Sequence, residues 1–125
     1  RREYIVYGNH GQFVMLERPS DRKRLRRIEG LLIDLDGVLY VGGEVIGKPS
    51  APFFHAAAAD MGLTPSRTAM VGDDIESDVG GAQKAGLAGI LVKTGMYRSH
   101  LAAASSVRPV AVVPSIADVP NLLGI

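Results

Sequence analysis

The sequence predicts an α/β fold built on a parallel, Rossmann-like sheet, and three observations carry that prediction. Short apolar runs recur at Leu31–Asp34, Thr68–Gly72, Gly89–Lys93 and Pro109–Val113. They are continuous rather than alternating, as expected of strands buried on both faces. Helix-like stretches lie between them, and strand–helix alternation of this length implies βαβ units with right-handed crossovers.

The elements follow in order. Tyr4–Tyr7 and Phe13–Leu16 flank Gly8-Asn9-His10-Gly11, which reads as a β-hairpin. Ser20 suits the N-cap of a short basic helix, with Asp21 in its first turn. Residues 1–29 therefore form an N-terminal unit of hairpin and basic helix, and residues 30–125 the core domain. Leu31–Asp34 is the first core strand. Ser50–Met61 is an Ala-rich helix closed by Gly62. Thr64-Pro65 pairs a cap with a proline at the first helical position, so a short turn of helix follows. Thr68–Gly72 is the second strand, Ile75–Ala85 a helix stopped by Gly86, and Gly89–Lys93 the third strand. Residues 102–106 fit either a loop or a frayed helix end. Pro109–Val113 is the fourth strand, and Ser115 caps a terminal helix.

Composition narrows the classes. The chain has 125 residues, 46% hydrophobic and 22% charged, the balance of one globular domain. No apolar run approaches the roughly 20 residues that span a bilayer, so no membrane partner is expected. Arg1-Arg2-Glu3 has no secretory-type apolar stretch behind it. The absence of cysteine excludes a disulfide scaffold, a thiolate zinc site and a cysteine nucleophile, and suits a reducing, cytoplasmic location.

The net charge of +1 hides an asymmetry: residues 1–29 hold eight basic and four acidic residues, the remainder six and nine. An acidic body disfavours nucleic acid and suits a divalent cation. The basic run Arg18–Arg27 could attract nucleic acid or anionic lipid. It reads better as a solvated helix face with Leu25 and Ile28 turned inward, because no aromatic stacking residues accompany it. His10, His55 and His100 share no metal-ligand spacing.

Ligands of open parallel sheets gather at the carboxyl ends of the strands. Here those ends carry Asp34 and Asp36, then Asp73 and Asp74, then Lys93 and Thr94, with Lys48 on a nearby loop. Two carboxylates spaced as Asp34-Leu35-Asp36-Gly37 can share one reaction centre, one attacking phosphorus and the other moving a proton. Taken alone, the same tetrapeptide is an acidic surface turn. Gly72-Asp73-Asp74, with Asp78 beyond it, adds further acids, and clustered carboxylates repel unless a cation such as Mg²⁺ lies between them. For Asp74 and Glu76, simple helix capping is the competing reading. Lys48-Pro49 could neutralise phosphoryl charge or be a solvated loop.

Together these pieces resemble the haloacid dehalogenase-like superfamily of phosphohydrolases. Leu32-Ile-Asp-Leu-Asp-Gly-Val-Leu39 is similar to its first motif, Gly47-Lys-Pro49 to its lysine motif, and Val71-Gly-Asp-Asp-Ile-Glu-Ser-Asp78 to its acidic motif. The likeness continues through Val79–Gly86 and Gly89–Arg98, where it is greatest to the branch of phospholysine phosphohistidine inorganic pyrophosphate phosphatases. The resemblance implies that Asp34 is a nucleophile forming an aspartyl-phosphate and that Asp36 is the general acid and base. It implies Mg²⁺ held by Asp34, Asp36 and Asp73, with Asp78 and Asp74 supporting the metal shell. Lys48 would stabilise phosphoryl charge, and the substrate would be a small phosphorylated compound or pyrophosphate.

One departure stands against this agreement. Eleven residues separate Asp36 from Lys48, where the family carries a second motif ending in Ser or Thr and a cap domain. The predicted core is therefore truncated and capless. Its first strand loses a flanking strand, and the expectation is that the N-terminal hairpin or a second copy of the chain, as a homodimer, covers that edge. An inactive module that binds metal or phosphate is the alternative. A receiver-like domain fits less well, because it does not require the Asp-x-Asp-Gly pattern.

Overall fold

The four apolar runs become four neighbouring parallel strands. In a computed structural model of the chain, the described backbone comprises residues 3–7, 12–16, 19–33, 39–41, 44–47, 51–95 and 97–124, with side chains described for 20–33, 51–95 and 97–124. The elements begin with β1 (Glu3–Tyr7), β2 (Gln12–Leu16), α1 (Pro19–Arg26), β3 (Gly30–Ile33), β4 (Leu39–Val41) and β5 (Glu44–Gly47). They continue with α2 (Ala51–Asp60), β6 (Thr68–Gly72), α3 (Gly81–Lys84), β7 (Ala88–Val92), α4 (Ser99–Ala104), β8 (Ala111–Val113) and α5 (Val119–Leu123). One six-stranded sheet has the order β1-β2-β8-β7-β6-β3, and β4 and β5 form a separate antiparallel pair.

The parallel core follows from burial. Every residue of β6 and β7 is buried, as two-sided coverage of a continuous apolar run requires. Successive side chains point to opposite faces. Val71, Ile90, Val92 and Val113 face one way, packing with Leu25 of α1 and with Val119 and Leu122 of α5. On the other face, Met70 packs with Phe54 of α2 and with Leu87. Leu91 and Val112 pack on that face with Ile75 and Val79. His55 adds a tie, its Nε2–H donating to the Ala85 carbonyl oxygen at 2.8 Å, so it serves helix packing.

The N-terminal hairpin forms as predicted, Ile5 opposite Val14, but not where the sequence suggested. β2 pairs antiparallel with β8, at the sheet edge opposite β3. The hairpin therefore does not cover the outer edge of β3. It extends the sheet from the short strand β8, while α1 folds back so that Leu25 enters the shared core. Among the described residues no strand pairs with the outer edge of β3, and Ile33 is 41% exposed.

The predicted helix over 75–85 is also modified. It opens with a wide turn, Ile75–Gly80, in which the Asp74 carbonyl accepts both the Asp78 and the Val79 N–H. Only then does α3 begin. Residues 102–106 divide, since α4 runs to Ala104. Among the described residues, no helix is long and apolar enough to cross a membrane.

Candidate functional site

The carboxyl ends of β3, β6 and β7 lie side by side, because these strands are parallel and in register. Ile33 pairs with Val71, and Val71 with Ile90. Asp34 directly follows Ile33 in sequence; Asp34, Asp36 and Lys48 fall outside the described residues. Asp73, Asp74 and Asp78 are described, and the structure gives each a different role.

Asp73 leaves the end of β6 half-buried, with its carboxylate against Gly95, in the loop after β7. Gly95 has φ +58°, in the left-handed region, and a Cβ there would collide with the Asp73 Oδ2. Glycine at 95 is thus required twice, for the backbone and for room beside the carboxylate. The sequence reading passed over Gly95, although a Thr-Gly pair directly after a buried strand at the ligand-binding rim is the signal that could have found it.

Asp74 is a helix cap. Its Oδ1 accepts the N–H groups of Glu76 and Ser77, both at 3.0 Å. Asp78 is 1% exposed, and its Oδ2 accepts the Asp74 N–H at 3.1 Å. The Asp78 side chain rests on Gly72, where a Cβ would overlap it. The wide turn makes this approach, bringing position 78 back over the strand end. Asp78 therefore fixes the backbone from which Asp73 projects.

Asp73 and Asp74 border a small depression of about 40 Å³ closed by Ile75, Tyr97, Arg98 and Ala102. The Arg98 guanidinium donates to the Tyr97 carbonyl at 2.9 Å, which holds that side chain along the loop. Among the described residues, no three His, Cys, Asp or Glu side chains converge on one point. The carboxylates described at this rim, Asp73 and Asp74, are hard oxygen donors, a chemistry that suits Mg²⁺ better than a soft metal.

The chain is similar to known proteins over much of this region. The family described as HAD-hydrolase-like matches residues 45–119, a span that includes Lys48, Asp73 and Asp78. The phospholysine phosphohistidine inorganic pyrophosphate phosphatase of Danio rerio is 47% identical over 76 residues, covering 61% of this chain and 28% of that protein. The haloacid dehalogenase-like hydrolase domain-containing protein 2 of Bos taurus is 56% identical over 55 residues, covering 44% of this chain and 21% of that protein. A crystal structure of a 4-nitrophenylphosphatase from Thermotoga maritima superposes with a TM-score of 0.52 at 28% identity, over 63% of this chain and 29% of that one. This chain thus spans between about a fifth and a third of the length of these relatives.

Proposed function

Since the chain belongs to the HAD-like hydrolase family, we propose that it is a Mg²⁺-dependent phosphohydrolase acting on a small phosphorylated compound or pyrophosphate. The observation that supports this most is the pairing of Ile33 with Val71. It sets side by side the strand ends from which the Asp34 and Asp73 segments depart.

In this reading an oxygen of the Asp34 carboxylate attacks phosphorus. The bond to the leaving group breaks, and Asp36 donates a proton to the departing oxygen. The resulting aspartyl-phosphate is cleaved by a water whose proton returns to Asp36, and inorganic phosphate leaves. Lys48 offsets the charge that builds on the phosphoryl oxygens. Asp34, the main-chain carbonyl of Asp36 and Asp73 would hold Mg²⁺, with Asp78 positioning the turn beneath. The cation, when bound, relieves the repulsion between an anionic carboxylate and an anionic phosphate. The cysteine-free composition is compatible with a reducing, cytoplasmic setting.

The eleven residues between Asp36 and Lys48 favour a second reading, an inactive module that binds Mg²⁺ or phosphate without turnover. No lid that would exclude water can be accommodated in so short a segment. The same shortening supports a homodimer through the outer edge of β3. A panel of Mg²⁺-dependent hydrolyses, with p-nitrophenyl phosphate and pyrophosphate, decides between the two readings. Phosphohydrolase function predicts turnover that Asp34→Asn abolishes. Mg²⁺ binding without turnover selects the inactive module, and activity surviving Asp34→Asn removes the nucleophile.

A further inference from the structure

Arginines gather at the end of the sheet opposite Asp73. Glu29 and Arg67 stand just ahead of β3 and β6, whose first residues, Gly30 and Thr68, are paired. The Glu29 N–H donates to the Arg67 carbonyl at 2.8 Å, and the Arg67 guanidinium donates to the Glu29 carboxylate at 3.0 Å. Arg26, at the end of α1, and Arg27 join them around an open depression of about 400 Å³. Three guanidinium groups there meet one carboxylate, so the depression stays cationic after the ion pair has formed.

A second depression, of about 340 Å³, lies between α1 and α5. Arg22 and Arg26, one helical turn apart on the same face of α1, line it together with Asn121, and no Asp or Glu does. Arg26 borders both depressions, so the two adjoin. Asp21, the only acid of α1, is buried and adds no charge to this surface. Arg22, Arg26 and Arg27 are exposed, and among the described residues none of the three has an ion-pair or side-chain hydrogen-bond partner.

We propose that this surface binds a compact polyphosphate anion, with one phosphoryl group in each depression and Arg26 between them. Arginine suits that ligand, because its planar fork meets two phosphoryl oxygens at once and its charge does not titrate near neutral pH. Clustered charge of one sign also raises the local concentration of anions. Leu25, the one apolar side chain described in α1, is buried, so binding rests on charge and calls on no apolar contact. The site stands apart from the hydrolytic reading, since it lies at the amino ends of β3 and β6 and needs no cation.

The test is a titration of the full chain with inorganic triphosphate in EDTA, free of divalent cations, followed by backbone amide NMR. Saturable shifts are expected at Arg22, Arg26 and Arg67, with Asp73 and Gly95 unmoved. Orthophosphate, which cannot reach both depressions, should bind at least about tenfold more weakly. Arg22→Gln and Arg26→Gln should each weaken triphosphate about fivefold or more, the loss expected for one charge contact. Lys23→Gln, exposed on the same helix but outside both depressions, should change it by less than about twofold. Absence of saturable shifts overturns the proposal, as do shifts at Asp73 in place of α1. Equal binding of orthophosphate also overturns it, as does an Arg26→Gln loss no greater than that of Lys23→Gln.

Discussion

The Asp78 carboxylate accepts the backbone N–H of Asp74 at 3.1 Å while packed on Gly72, so a buried acid braces the turn that presents Asp73. Asp78→Ala removes that acceptor and leaves a part-buried N–H unsatisfied. The expected loss is about 1–3 kcal/mol in urea denaturation. Asp78→Asn keeps a carbonyl oxygen at the same place and should lose clearly less. Equal losses for the two would show that the hydrogen bond is not what braces the turn.

Gly72→Ala approaches the same contact from the strand. Its methyl group would enter the space of the Asp78 side chain, which is enclosed and cannot swing away. Overpacking of this kind costs about 1–3 kcal/mol. A melting curve matching the parent would mean the turn yields easily.

These close approaches mark the limit of what the sequence made legible. The runs around Leu32, Met70, Ile90 and Val112 announced the parallel strands, because two-sided burial leaves a continuous apolar signature. The acids after Gly72 announced the rim. The wide turn at 75–80 falls inside the helix that the sequence predicts over 75–85, because the acids at its start and Gly86 at its end mark only the boundaries, while its shape is set by the contact of Asp78 with Gly72. The hairpin was legible, but not its position: pairing with β8 rather than β3 depends on where α1 packs Leu25, a tertiary matter. Asp34, Asp36 and Lys48 rest on the motifs alone.

Gly95→Ala tests the contact between the β7 loop and Asp73. The left-handed backbone costs about 1–2 kcal/mol for a residue with a Cβ, and the methyl group displaces the carboxylate. Calorimetric titration should show Mg²⁺ affinity reduced by about tenfold or more, alongside a modest fall in melting temperature. Unchanged Mg²⁺ affinity would detach Gly95 from the metal site.

The outer edge of β3 makes a prediction about assembly. Light scattering should give the mass of a dimer, and Ile33→Lys, which places a charge at that edge, should give a monomer. A monomeric parent chain would contradict pairing through β3.

The most direct measurement is a double-mutant cycle on Mg²⁺ affinity with Asp34→Asn, Asp73→Asn and the pair. If both carboxylates hold one ion, each single change removes most of the affinity and the double change removes little more. Losses that simply add, or a single change without effect, would place the two acids at different sites and contradict the account.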